Sequence, residues 1–416
     1  MSTPAPSPRD ALAQALSQAL GPTPRGPLGI AVSGGGDSMA LMWLMAQWAA
    51  PRRIALATVS VDHGLRPETR AEIAVAKALA ARLGLSHDTL HWPSGQARGN
   101  LMDAARQARR QLIADWARAR GIHCVALGHT QDDQAETLLM RLARGSGVDG
   151  LAAMATAQPW GGVIWLRPLL ATPRDALRDV LRGCGASWAE DPTNADPRFA
   201  RSRTRSAITE LGLDSTRLAR SAAQMADARD ALSQAAAQAG RAILRMQAGD
   251  ALLNRAGLDA LPREIRERLI AQILCAISGQ PYRPRLTALR RALAAPRATL
   301  HGCLLTDHGT TLRIAREWKA VSTLCTPPDA LWDGRWRLSP PPGEATDGYH
   351  IRALGPAIDH LVRPITSALP HASLMASPAV WQGAELVAAP LAEPGSRWRA
   401  SCRQGPLDLL PGALSH

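Results

Sequence analysis

Hydrophobic positions in the first two hundred residues form short β-prone runs that alternate with stretches of helical spacing. "LGIAVS" is followed by an apolar helical pattern from Asp37 to about Ala49, and "RIALATVSVD" by a helix over Pro67–Leu83. There Pro67 stands in the first turn and Gly84 lies just past the end, the usual punctuation of a helix. "SHDTLHW" leads through a Gly-containing loop to a helix from about Asn100 to Arg120. "HCVALGH" precedes a helix over Gln131–Arg144, and "VIWLRPL" one over Pro173–Gly183. This alternation predicts an α/β fold, a parallel five-stranded doubly wound sheet covered on both faces. Ligands of such sheets bind at the carboxyl ends of the strands. Three polar clusters fall there: "SGGGDS", "VDHGLR" and "GHTQDD".

Beyond about residue 204 the texture changes. Ala, Arg, Gln and Leu at helical spacing, as in "LDALPREIRERLIAQILCAI", predict a helical module. From about Arg297, short β-prone pieces separated by Pro/Gly-rich joints predict a small, partly β module. The expected organisation is a leader and first helix (1–26), an α/β domain (27–206), a mainly helical module (207–325) and a β-rich C-terminal module (326–416).

Charge and composition narrow the partners. The chain of 416 residues has a net charge of +13 from 48 basic residues, of which only Lys77 and Lys319 are lysines. Arginine's planar fork suits phosphate, so a polyanionic partner is expected. With 12 Trp, two Tyr and one Phe, a broad base-stacking platform is not. The six cysteines include no C-x-x-C pair, which disfavours zinc ribbons and a disulfide framework and points to reduced thiols in a cytoplasm. No apolar run reaches the roughly 18 residues of a membrane span, and "MSTPAPSPRD" lacks the pattern of a signal peptide. The expectation is a cytoplasmic protein with no membrane association.

The first polar cluster reads as a phosphate cradle. Gly34, Gly35 and Gly36 permit close backbone approach, and the helix starting near Asp37 adds its positive end. No G-x-x-x-x-G-K-[ST] pattern is present and no lysine is near. A lysine-free cradle suits a departing pyrophosphate, with Mg²⁺ supplying the missing charge. In the second cluster, Thr130 and Asp133 fit a capping box. Asp132, Asp133 and Glu136 nevertheless crowd three carboxylates into the first turns of one helix, which suggests Mg²⁺ binding or polarisation of an attacking group. His129 is a candidate substrate contact, and Asp62 with His63 would meet adenine or ribose. Arg198, Arg201, Arg203 and Arg205 crowd "RFARSRTR", a run that closes the α/β domain, and Arg167 ends a strand where it could serve phosphate or a substrate base.

Ser33, Gly34, Gly35, Asp37 and Ser38 meet the S-G-G-x-D-S pattern, so the chain resembles the PP-loop ATP pyrophosphatases. Gly128, His129, Asp132, Asp133, Gln134, Glu136 and Thr137 match G-H-x-x-D-D-Q-x-E-T. They are followed by Arg144, Gly145, Ser146 and Gly147, then Gly150 and Leu151. That combination resembles the tRNA(Ile)-lysidine synthases. "VDHGLRPE", "LRPLL" and "EDPTNADPRFARSRTR" agree in order and spacing, although Ser202 stands where the family often has asparagine.

The resemblance implies an N-type ATP pyrophosphatase fold and two chemical steps. O2 of the wobble cytidine of the CAU-anticodon isoleucine tRNA attacks the α-phosphorus of ATP. The ε-amino group of L-lysine then attacks C2 and expels AMP. It further implies ATP binding by Ser33, Gly34, Gly35, Gly36, Asp37, Ser38, Asp62 and His63, with Mg²⁺ on Asp37 and Asp133. Asp37, Asp133 and Arg205 would be catalytic. His129, Asp132, Glu136, Arg144, Arg167, Arg201 and Arg203 would face lysine or tRNA, with Asp133 or Glu136 positioning or deprotonating the ammonium. The modules beyond residue 206 would read the tRNA. Two alternatives stay open at this level: a PP-loop tRNA thiolase, and a catalytically silent RNA-binding relative.

Overall fold

The structure, a computed structural model, describes every residue except 1–6, 22–25, 65–67, 93–100, 191–197, 199, 362–366, 394, 404 and 406–416. Pro67 and most of "EDPTNADPRF" therefore lie outside the described residues. The chain divides into two units, Met1–Arg229 and Asp230–His416.

In the first unit, α1 (Pro8–Leu20) begins at an N-cap, Ser7, whose side chain accepts from the Asp10 N–H, with Pro8 in the first turn. Then follow β1 (Leu28–Ala31), α2 (Gly36–Ala49), β2 (Leu56–Asp62), α3 (Glu68–Arg82), β3 (Ser86–His91), α4 (Leu101–Ala119) and β4 (Cys124–Leu127). After them come α5 (Gln131–Leu142), α6 (Val148–Leu151), β5 (Ala157–Trp160), β6 (Val163–Leu166), α7 (Arg174–Gly183) and α8 (Ala200–Glu210). The long α9 (Ser215–Ile243) contains the division between the units.

The strands form a sheet in the order β3-β2-β1-β4-β6-β5. The five expected strands are parallel, and β5 adds an antiparallel edge strand through the Trp160–Val163 hairpin. Its signal was the Gly161–Gly162 pair, a favoured two-residue turn. Side-chain alternation divides the core between the two faces. Leu28, Ile30 and Val32 pack with Leu12 and Leu16 of α1, Met39 and Met42 of α2 and Leu177 and Leu181 of α7. Ala31, Val59, Val61 and Val125 pack on the other face with Ile113 and Trp116 of α4. Helix α2 is apolar around nearly its whole girth because other helices and the sheet enclose it.

Strand β1 pairs with β2 on one side and β4 on the other, and the order of connections reverses between β1 and β4. A crevice opens at such a switch point beyond the strands' carboxyl ends. The loops leaving β1 and β4 are "SGGGDS" and "GHTQDD".

The second unit holds β7 (Leu244–Gln247), β8 (Asp250–Asn254), α10 (Arg255–Asp259), α11 (Arg263–Ser278), α12 (Leu286–Ala294), β9 (Arg297–Leu300), β10 (Cys303–Asp307) and β11 (Thr311–Arg316). Residues 207–325, expected as mainly helical, thus also contain a five-stranded sheet, β7-β8-β11-β10-β9. Further on are α13 (Trp318–Val321), β12 (Cys325–Thr326), β13 (Trp336–Ser339), β14 (Tyr349–Ala353), α14 (His371–Met375), β15 (Pro378–Gln382), β16 (Glu385–Ala388) and β17 (Arg399–Cys402). These strands make a four-stranded sheet and a separate β13–β17 pair.

Buried charge joins these layers: Asp250 on β8 accepts from Arg313 on β11 at 2.7 Å and from the Ser373 hydroxyl on α14 at 2.6 Å. Removing one member of a buried pair leaves the other charge unpaired. Asp250→Ala should therefore lower stability by about 3–5 kcal/mol in urea denaturation; a change under about 1 kcal/mol would mean that water replaces the carboxylate readily.

Candidate active site

The β1 loop closes on itself. The Ser33 N–H donates to Ser38 Oγ at 3.1 Å, and the Ser38 hydroxyl donates to the Gly35 carbonyl at 2.9 Å. Gly34 has φ +86°, and a Cβ there would lie 2.5 Å from the Glu72 carbonyl oxygen, so both conformation and space demand glycine. The Gly34 carbonyl accepts from the Ala189 N–H at 2.9 Å, pinning the segment after α7 against the loop. The first N–H groups of α2 have no acceptor within the helix and open on to the crevice.

The β4 loop comes equally close. A Cβ on Gly128 would lie 2.9 Å from Asp37 O and Ser38 N, so this glycine sets the approach of the two loops. Thr130 and Asp133 form the expected capping box at the start of α5. Asp133 Oδ2 accepts from Thr130 N at 2.8 Å, which leaves Oδ1 facing the crevice.

A residue that sequence reading passed over joins the loops. Arg174, in the first turn of α7, donates from Nε to Asp37 Oδ2 at 3.1 Å and from Nη2 to Asp133 Oδ1 at 3.4 Å. Its Nη1 lies 3.9 Å from Glu136 Oε1. Its backbone N–H donates to Asp132 Oδ2 at 2.8 Å, so Asp132 caps α7 from α5. A faint signal existed, since a cation at a helix N-terminus opposes the helix dipole and needs compensating anions. Helix α8 brings Arg205, whose Nη2 lies 2.7 Å from Glu136 Oε1, and Arg201, whose Nη1 lies 4.0 Å from Asp133 Oδ1. Glu136 Oε2 is buried without a hydrogen-bond partner.

This environment separates the acids. Burial raises Asp37 despite the opposing Arg174, and burial raises Glu136 despite Arg205. For Asp133 burial pushes the same way, but Arg174, the Thr130 N–H and Arg201 together outweigh it and hold the carboxyl low. Carboxylates whose affinities for protons are driven apart can divide acid, base and electrostatic roles.

Other expected residues are distributed around this centre. Asp62, at the end of β2, accepts from the Gly64 N–H at 2.9 Å and lies 3.7 Å from His91. His63 meets Trp92 edge-on at 5.9 Å. His129 is half-buried at the end of β4 with its Nδ1 out of reach of solvent, and Arg167 at the end of β6 donates to the Ala155 carbonyl at 3.0 Å. Arg203 donates instead to the Arg198 carbonyl at 2.9 Å. Arg144 is exposed beyond the end of α5 and is not brought to the carboxylates. Among the described residues no three His, Cys, Asp or Glu side chains group as a complete metal site, and no helix is long and apolar enough to cross a membrane.

The PP-loop domain family matches residues 8–211. The chain is 48% identical over 397 residues to the tRNA(Ile)-lysidine synthase of Ruegeria pomeroyi, covering 94% of each chain. It is 40% identical over 332 residues to that of a Bradyrhizobium species, covering 76% of this chain and 90% of that one. With that of Rhodopseudomonas palustris it shares 44% identity over 277 residues, 64% of this chain and 79% of that one.

Two outcomes follow from the geometry. Gly34→Ala should abolish detectable ATP binding in equilibrium dialysis, and retained affinity would show that the loop tolerates the strain. Burial, opposed by Asp133 and reinforced by Arg167, Arg201 and Arg106, pushes His129 down to about 4. As pH falls below 6.5, the ordinary value, the unfolded chain takes up a proton that the folded chain refuses until about pH 4. Stability therefore falls with pH across that window and is independent of this group above it. Relative to His129→Gln, the wild type should lose about 2 kcal/mol between pH 8 and pH 5; parallel curves would contradict a buried neutral imidazole.

Proposed function

The chain belongs to the tRNA(Ile)-lysidine synthase family, and from that membership we propose how its own residues perform the reaction. The enzyme binds ATP and joins free L-lysine to C2 of the wobble cytidine of the CAU-anticodon isoleucine tRNA. The reaction passes through an adenylylated cytidine and gives lysidine, AMP and pyrophosphate. Adenylylation is needed because C2 of cytosine otherwise carries no good leaving group.

One observation supports the assignment of roles above others: Asp37 and Asp133, from loops on adjacent strands, converge on the single guanidinium of Arg174. In this reading the N–H groups of the β1 loop and of α2's first turn receive the β- and γ-phosphates. Ser33 and Ser38 keep the loop in shape, and the α-phosphorus is left open to cytidine O2. Asp37 and Asp133 would hold Mg²⁺ together with phosphate oxygens. Two hard carboxylates without a complete protein cage suit that ion, which supplies charge for the leaving pyrophosphate.

Glu136 is the better acceptor for lysine's ammonium proton. Asp133 is engaged by Thr130 and Arg174, whereas Glu136 Oε2 is a buried oxygen without a partner. Burial raises Glu136, which brings its basicity nearer to that of a working base. Arg205 holds Oε1 and so orients the free oxygen. The amine then attacks C2, and AMP departs with the former base oxygen. Modules beyond residue 206 read the tRNA in this account, and a cytoplasmic location goes with the substrates.

The assay is pyrophosphate exchange into ATP, dependent on the CAU-anticodon transcript, followed by lysine incorporation at the wobble base. Wild type should perform both, and Asp37→Ala should reduce exchange at least about a hundredfold. Glu136→Gln should retain exchange while lysine incorporation falls by a similar factor. Exchange without any requirement for tRNA, or a thionucleoside product, would overturn the reading.

A further inference from the structure

Helix α4 links the parallel strands β3 and β4 and so runs back along the sheet, its N-terminal turns at the strands' carboxyl ends. The half of α4 nearer those ends bears Arg106 and Arg109. Arg110 instead lies over the Trp160 ring at 4.3 Å, and Trp160 pairs with Val163 at the amino end of β6, so Arg110 is engaged away from the strands' carboxyl ends. Among the described residues no carboxylate pairs with Arg106 or Arg109. Nearby strand ends add two more orphaned groups: the Nδ1 atoms of His63 and His129 are both buried without partners.

These groups sense one another. Helical spacing from Ile113, which packs on the sheet, sets Arg109 and Arg106 on the same stripe of α4, one and two turns nearer the strand ends where His63 and His129 feel their charge. Burial and the neighbouring Arg106 both weigh against the charge of Arg109. Asp62 and Asp133 act on the same two histidines with the opposite sign, but among the described residues neither carboxylate pairs with Arg106 or Arg109, which leaves these two cations able to take an anion. The pyrophosphate loop lies at the start of α2, on the sheet face opposite α4. The α4 cluster therefore addresses a second anion.

Resting on the function proposed above, we propose that Arg106 and Arg109, with His63 and His129 at the strand ends, seat a phosphodiester of the RNA strand that carries the target base. Arginine's fork can hold two phosphate oxygens at once, and a neutral imidazole can donate one further hydrogen bond. Such a seat fixes the RNA backbone on one side of the crevice while the nucleotide is held from the other. It uses no base-specific contact, so it sets position rather than sequence.

The test uses the full chain and the CAU-anticodon isoleucine tRNA transcript, with affinities measured over a salt series. ATP binding is measured separately without RNA. Arg106→Gln and Arg109→Gln should each weaken RNA binding about tenfold. The log–log salt slope should become shallower by about 0.7–0.9 for each phosphate that is no longer neutralised. ATP affinity should stay within about twofold, and Arg109→Lys should restore the slope. Arg106 is exposed, so its variant decides the matter if Arg109→Gln does not fold. Unchanged RNA affinity and slope would overturn the seat, and a loss confined to ATP would assign these cations to the nucleotide. Failure of the wild type to bind the transcript would instead strike at the proposed function.

Discussion

The guanidinium of Arg174 is what allows three acids to share one crevice. Asp37, Asp133 and Glu136 all reach toward it, and Asp132 is held by its backbone N–H. Carboxylates so close and so poorly hydrated would otherwise take up protons or move apart. The same contacts raise the proton affinity of Arg174 despite its burial, as a mutual charge lock requires. Because Asp37 begins α2, Asp133 begins α5 and Arg174 begins α7, the lock also sets three helix starts against one another. The β1 loop and the proposed lysine base consequently belong to one rigid assembly.

Several residues that look chemical are partly architectural. Ser33 and Ser38 close their own loop, Thr130 and Asp133 cap α5, Asp132 caps α7 and Asp62 closes a turn. These roles do not compete with function. A phosphate cradle works only if its N–H groups are already aimed, and bonds within the loop aim them before ligand arrives. Asp133 divides its two oxygens between these tasks, one spent on the cap and the other facing the crevice.

Much of this was legible along the chain. Alternating apolar runs announced the parallel sheet, because β-strand and helix impose different periods on the same hydrophobic requirement. Glycines without a nearby lysine suggested the phosphate cradle proposed above, and acids on the first turns of α5 suggested the charged centre that Arg174 and Arg205 meet. Local chemistry was enough for these, since each depends on neighbours in sequence. The β5 edge strand was missed although Gly161 and Gly162 marked its turn, because "AQPW" includes a proline and lacks a clear alternation.

Tertiary structure alone decided which charges meet. Arg174 lies 137 residues from Asp37 and 41 from Asp133, and nothing in local spacing pairs them. Arg144, close to the acids in sequence, is carried away by the length of α5, while Arg205, 69 residues from Glu136, is brought to it by α8. Composition and pattern determined the alternating elements of the first unit, the lysine-free glycine loop and the family. The strand order, with its reversal between β1 and β4, determined the partners, because Coulomb attraction and desolvation depend on distance through space and not along the chain.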